Sequence, residues 1–288
     1  MIESSLDFNQ RNLPKQVSEL KEYLDTLVVL QEYLAKSKVM IPEFKFHIDT
    51  LITKFAFHSN TIYHLLNGID MTFKSLNFST KILDIPSLYI LLRAQLENFL
   101  IFDFIYCQPI TTDESEFRYN NWKLSGYISR RDIPTEGEKA KKTKESDLKE
   151  IKRLQEQIKI SKFFQAFTQK QQSKILNDGD ERLGNGWIKI MKDSGLSPRI
   201  SNSLYKIVSA YAHSSGVSIF NITELKAGYH PNNDQANLIA SISKMIICRL
   251  ITRFKSQIKT VEIKYNTLPY DLTSRIEFYN TILTRTNI

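Results

Sequence analysis

The residues of this chain best suited to chemistry stand in two short stretches. Arg93 and Glu97 lie four residues apart in the most apolar segment, "PSLYILLRAQLENFLIFDFIYC" (86–107), and that spacing puts both on one helical face. Burying either charge alone is expensive, so each needs the other or a partner from another element. The second stretch, "SLYKIVSAYAHSSG" (203–216), brings Lys206, Ser209 or Ala210, and His213 near one face of an amphipathic helix, with Tyr205 and Tyr211 close by. A histidine titrates near neutrality and can give or take a proton, while an arginine or lysine beside it holds a phosphate and stabilises its developing charge. That is the chemistry of metal-free RNA cleavage, and it calls for no cofactor. The plainer reading is that His213, near a helix C-terminus, caps carbonyls and hydrogen-bonds Glu97, tying two core helices together. Both readings stay open on the residues alone.

Other sites fail on spacing. There is no phosphate-cradling glycine loop, dinucleotide fingerprint or nucleophile elbow. "DGDERLG" hints at a calcium loop, but Lys189 stands where the closing carboxylate belongs. His47 and His58 fall on one helical face, yet three turns hold them about 16 Å apart, too far to share a metal. With His64 they read as core or surface histidines, and no metal site is expected.

The elements that must carry these residues are helices. Nine Gly and eight Pro are few for 288 residues, 42% of the chain is hydrophobic, and Leu, Ile and Phe recur at helical spacing. The expectation is an all-α, multi-helix bundle, roughly eight helices around a central buried helix (86–107), in a single helical domain (1–288). Val17, Leu20, Leu24, Leu27 and Leu34 form a stripe after Pro14, broken at Gln31; a second helix runs from about Pro42 to Leu66, with Gly68 past its end. Thr111 to Asp113 can cap a fourth helix, weakened at Gly126. The composition changes from Glu136 to about Leu176: up to Lys159 there is only a thin stripe of Leu148, Ile151, Leu154 and Ile158 in a mass of charge, Phe163, Phe164 and Phe167 then return to the core, and about 133–147 is the candidate hinge or mobile segment. "NDGDERLGNG" is a loop, Gly195 closes a short helix, Ser201 or Asn202 caps the helix of His213, Asp234 caps the next, and a last helix starts at Asp271.

The central segment approaches membrane-spanning length, but Arg93, Glu97 and Asp103 are costly in lipid, and the N-terminus has no apolar signal core. A cytoplasmic protein with no membrane contact is expected. Cys107 and Cys248 sit far apart in apolar surroundings and read as buried thiols. The net charge of +8 is uneven: −4 over 1–138, +7 over 139–174, zero over 175–241 and +5 over 242–288. The two basic segments are candidate phosphate-binding surfaces, through Lys141, Lys142, Lys144, Lys152, Arg153, Lys206, Arg249 and Arg253. A solvated helix face accounts for the same charge runs equally well.

Taken in order, "LLRAQLENFLIFDFIY", "NNWKLSGYISRR" and "GWIKIMKDSGLSPRISNSLYKIVSAYAHSS" resemble the prokaryotic domain of unknown function 5677 family, over roughly residues 86–220. The resemblance implies that Arg93, Glu97, Tyr205, Ser209 and His213 form one polar cluster. A more distant similarity is to HEPN-type helical domains, many of them dimeric RNases of toxin or phage-defence systems. Their signature sets an Arg four to six residues before the His, where this chain has Ile207, Val208 and Ser209, with Lys206 one step further; Arg93 would have to supply the charge from a neighbouring helix. The likeness implies RNA as partner, an even-numbered assembly or partner protein, and His213 as acid and base, with Arg93 stabilising the phosphate and Glu97 orienting Arg93 or His213. The alternatives are an accessory or antitoxin-like interaction subunit with a structural cluster, and a small-molecule sensor using aromatics near Phe99, Phe102, Trp122 and Trp187.

Overall fold

The computed structural model describes residues 13–73, 75, 78–134, 136–212, 215–216, 218–220, 223, 232–282 and 284. It is 78% helical with one β-hairpin, an all-α multi-helix bundle. Helix α1 (Leu13–Lys36) carries the leucine stripe, with Leu20, Leu27 and Leu30 fully buried. The break in that stripe has a use: Gln31 Nε2 donates to Asp49 Oδ1 at 2.9 Å and to Thr53 Oγ1 at 2.6 Å on α2 (Ile48–Leu66). A short 3-10 turn (Glu43–Lys45) precedes α2, so His47 stands at the helix N-cap and not on the helical face expected of it.

After Gly68 the chain forms strands β1 (Ile69–Phe73) and β2 (Phe78–Ile82), paired antiparallel with Ile69 opposite Ile82 and Phe73 opposite Phe78. The sequence reading had no element here. Helix α3 (Ile85–Tyr106) follows, capped by Asp84, whose side chain accepts from the Ser87 amide. Every residue of α3 from Asn98 to Tyr106 is buried, which makes that half the central rod, and α3 packs on α2 and on four later helices. A helix apolar all round must lie inside its domain. Its first half keeps one open side, and Arg93 and Glu97 occupy that side.

Helix α4 (Thr112–Arg131) is capped by Thr111 and runs straight through Gly126, where an added Cβ would meet nothing within 4 Å. The lysine-rich segment expected to be a hinge is helical from Glu138: α5 (Glu138–Lys159) lies along α4. With α6 (Lys162–Gln165) and α7 (Gln169–Asn177) it closes a second apolar core of Phe117, Leu124, Ile128, Ile151, Leu154, Ile158, Phe164 and Ile175. The count of helices exceeds eight because this stretch breaks into three and a further short helix appears near the C-terminus.

Helix α8 (Trp187–Asp193) ends at Gly195, whose φ of +82° suits glycine. Helix α9 (Pro198–Ala212) begins four or five residues earlier than expected: the Ser197 side chain accepts from the Ile200 amide, and Ser201 is buried inside the helix. Helices α10 (Asn232–Gln257), α11 (Lys259–Tyr265) and α12 (Tyr270–Ile282) complete the main core. No described helix is long and apolar enough to cross a membrane. Cys107 and Cys248 are free thiols, the first half-buried and the second buried.

Candidate functional site

Arg93 and Glu97 meet as their spacing required. Arg93 Nε donates to Glu97 Oε1 at 2.8 Å, and the two side chains remain 20% and 26% exposed. Tyr205 joins them from α9: its hydroxyl accepts from Arg93 Nη2 at 3.3 Å and donates to Glu97 Oε1 at 3.3 Å, and the guanidinium carbon lies 5.5 Å from the ring centre. Three side chains thus close a triangle between α3 and α9. Below it, Tyr89 and Tyr211 stack at 4.3 Å between the same two helices and fix their register.

Burial disfavours the Arg93 charge, but the bond and charge of Glu97, with Tyr205 behind them, more than offset this and hold its pKa above the ordinary value. Burial pushes the Tyr205 hydroxyl up, and the Glu97 charge adds to that, so it stays a proton donor. Ser209, one turn on, directs its hydroxyl toward Tyr205 and pulls that pKa slightly back, but Oγ is buried without a well-formed hydrogen bond. An arginine held cationic beside a tyrosine and an uncommitted hydroxyl can bind an anionic oxygen. His213, the acid and base of the sequence reading, lies outside the described residues, as does Ser214.

The cations expected to bind phosphate divide sharply. Lys141, Lys142 and Lys152 are exposed on α5 and make no ion pair with any described residue, and Lys149 shares their condition. Lys144 is half-buried beside Leu148 and Ile151 in a cleft at the start of α5. Arg153 bonds Glu150 Oε2 at 2.8 Å and Gln157 at 3.0 Å, and Lys123 bonds Glu150 Oε1 at 2.8 Å, which staples α5 to α4. Arg153 is therefore a structural cation of that network. Lys206 is exposed on α9.

Arg249 and Arg253 correct the expectation outright. Arg249 is 7% exposed, donating to the Ser194 carbonyl and, at 2.9 Å, to Asn280 Oδ1. Burial, with the neighbouring Arg253, lowers its pKa to about 10. Arg253 Nε lies 2.9 Å from Asp103 Oδ1, off the N–H line, and Nη2 reaches Ser194 at 3.3 Å. Arg249 is not a surface residue, and Arg253, though its side chain is 30% exposed, is committed to Asp103 and Ser194. Their place is set by Asp103, buried on the all-apolar half of α3, where desolvation raises its pKa against the pull of Arg253, Gln108 and Arg249. Of the aromatics expected to form a ligand interior, Phe99 and Phe102 are fully buried core, Trp187 faces Arg182 at 4.7 Å and Trp122 is half-buried.

The 178–186 stretch is the loop expected from the sequence, where the calcium pattern fails at Lys189. It is built: Asn121 Nδ2 donates to the Asp180 carbonyl and Ser125 Oγ to the Gly179 carbonyl, each at 2.8 Å. Gly179, at φ +72°, presses so close that a Cβ would stand 3.0 Å from Ser125 Cα. Leu183, with φ +54°, is a bulky residue in the left-handed region, a conformation that persists only where its surroundings enforce it. The loop holds Glu181 within reach of the Glu97 charge. Burial raises the Glu181 pKa; Glu97 and Asp180 push the same way, and Arg182 and Lys54 oppose them. On α2, His58 is half-buried with Nε2 unpaired, its pKa lowered by burial and by Lys54. Among the described residues, no three His, Cys, Asp or Glu side chains stand together as metal ligands.

Comparison of the chain with protein-family models, with curated proteins and with solved structures gives no match.

Proposed function

We propose that this chain is a HEPN-like helical effector that binds RNA along α5 and cleaves it without a metal, as toxin or phage-defence RNases do. The observation that carries the reading is the Arg93, Glu97 and Tyr205 triangle: a partly exposed guanidinium, oriented by a carboxylate and a phenol from two helices. In the proposed reaction Arg93 neutralises the phosphate, Glu97 and Tyr205 fix the guanidinium, Ser209 supports Tyr205, and His213 moves the proton. The exposed lysines of α5 supply the sequence-independent part of the affinity.

A second reading is favoured by the described C-terminal cations, each of which is engaged within the chain and two of which, Lys244 and Arg249, are buried: the chain is a non-enzymatic accessory subunit and the triangle is a structural tie. One experiment separates the two. Purified wild type, Arg93→Lys and His213→Ala are incubated with total cellular RNA in EDTA and cut ends are mapped. The first reading predicts discrete cuts by the wild type, lost in both variants with circular dichroism unchanged. No cutting by the wild type, with lower melting temperatures in the variants, supports the second.

A further inference from the structure

A groove of about 320 Å³ opens between α4 and the 178–186 loop, lined by His47, Trp122, Lys123, Tyr127, Arg130 and Glu181 among others. Its size suits one nucleotide, since small-molecule clefts begin at about 300 Å³. The walls are aromatic: His47 meets Trp122 edge-on at 5.4 Å and is held by a 2.7 Å bond between its Nδ1 and the Tyr119 hydroxyl. Gly126 lies on the same wall, and the absence of a side chain there keeps the groove open.

Glu181 is the unexplained group. It is half-buried, makes no hydrogen bond or ion pair with any described residue, and sits within the repulsive field of Glu97 and Asp180. Its loop is pinned to α4 at Gly179 and Asp180 and passes through the left-handed Leu183. A positioned carboxylate without donors suits a planar ligand offering two adjacent N–H groups. Among nucleobases only guanine does so, through N1–H and the 2-amino group; adenine and cytosine set an acceptor beside their amino group, and uracil flanks its N–H with carbonyls. A guanidinium has the same donor pair, but Arg130 also lines the groove, still 53% exposed although its Nη2 donates to Asp147, and a half-exposed cation favours a ligand that carries phosphate; Lys123 is committed to Glu150.

We propose that this groove is a guanine-binding subsite for single-stranded RNA, with Glu181 accepting from the base edge and the aromatic wall stacking its face. The proposal rests on the reading of the chain as an RNA-binding protein.

Calorimetric titration of the full chain with GMP, IMP, AMP, UMP, ribose 5-phosphate and free arginine tests it. The expected result is saturable binding of GMP, at least tenfold weaker for IMP, which lacks the 2-amino group, and for AMP and UMP, and a loss of tenfold or more in Glu181→Gln. The comparison of GMP with IMP needs no variant, so a folding defect in Glu181→Gln leaves the test intact. Equal binding of ribose 5-phosphate, preference for arginine, or no binding of GMP overturns the proposal. GMP binding without RNA cleavage retains the subsite and overturns the nuclease reading, whereas cleavage with no base preference, unchanged in Glu181→Gln, overturns the subsite alone.

Discussion

The two basic segments of this chain use the same residue types for opposite ends. In 242–288 each described cation is engaged: Lys244 with Glu19, Arg249 with Ser194 and Asn280, Arg253 with Asp103, Lys255 with Glu277, Lys259 with Glu262, Lys264 over the Tyr33 ring, and Arg275 with Glu22 and Asp271. Three of those acids, Glu19, Glu22 and Asp103, come from the acidic first half of the chain. In 139–174, Arg153 is engaged in the same manner, but Lys141, Lys142, Lys149 and Lys152 face solvent unpaired among the described residues. Positive charge in the C-terminal segment is therefore largely answered within the chain, whereas α5 carries four exposed lysines that no described acid answers. Net charge per segment predicts an interaction surface only when the acids that could answer it lie elsewhere.

The largest test of this contrast is Asp103→Ala. It leaves Arg253 without its carboxylate and Arg249 beside it in the core, and removing one partner of a buried pair costs about 3–5 kcal/mol. Urea unfolding monitored by circular dichroism reads the loss. A change below about 1 kcal/mol would show that the C-terminal cations are not held as described. Next in size, Leu154→Ala empties a fully buried position of the second core, and such truncations cost about 2–5 kcal/mol. Its effect is expected on the exchange protection of α4, α5 and α7, with α10 spared; equal loss everywhere would contradict a separate second core.

A smaller effect distinguishes the two regions by pH. The Glu150 pKa is lowered from 4.5 to about 2, first by its hydrogen bond to Arg153. A carboxylate depressed in the folded state contributes stability that is complete above about pH 4.5 and is lost as pH falls toward 2. Glu150→Gln is therefore expected to lower the unfolding free energy from urea titration at pH 6, by about 1 kcal/mol given its solvent contact, and to have little effect near pH 2.5. Asp103 has the opposite sign, since its pKa is raised and protonation is easier in the fold than in the unfolded chain. Acid thus loosens the attachment of α5 and spares the Asp103 site. A wild-type difference that stays constant from pH 6 to 2.5 would refute this assignment.

Much of the architecture was legible because it is periodic. The α1 stripe, the α3 core and the four-residue step from Arg93 to Glu97 are local patterns, and each formed where the spacing placed it. The alternation of Ile69, Met71 and Phe73 was a strand signal, but Gly68 read equally well as a helix stop, and two five-residue runs are short beside their helical neighbours. The identity of the inward cations was not legible. Asp103 and Arg253 are far apart in sequence, and nothing near either one names the other. The same holds for Glu181: its meaning comes from α3 and α4, which the loop meets only in three dimensions.

The central claim, that α5 and not the C-terminal segment meets RNA, is tested most directly by the salt dependence of binding to a single-stranded RNA. Wild type is compared with a Lys141, Lys142, Lys149 and Lys152 to Gln variant and with a Lys255 and Lys259 to Gln variant. Each phosphate contact on a single strand contributes about 0.7 to the slope of log K against log salt. The account predicts a slope lower by about 3 in the α5 variant and unchanged in the C-terminal variant. An unchanged slope in the α5 variant, or a loss confined to the C-terminal one, would contradict it.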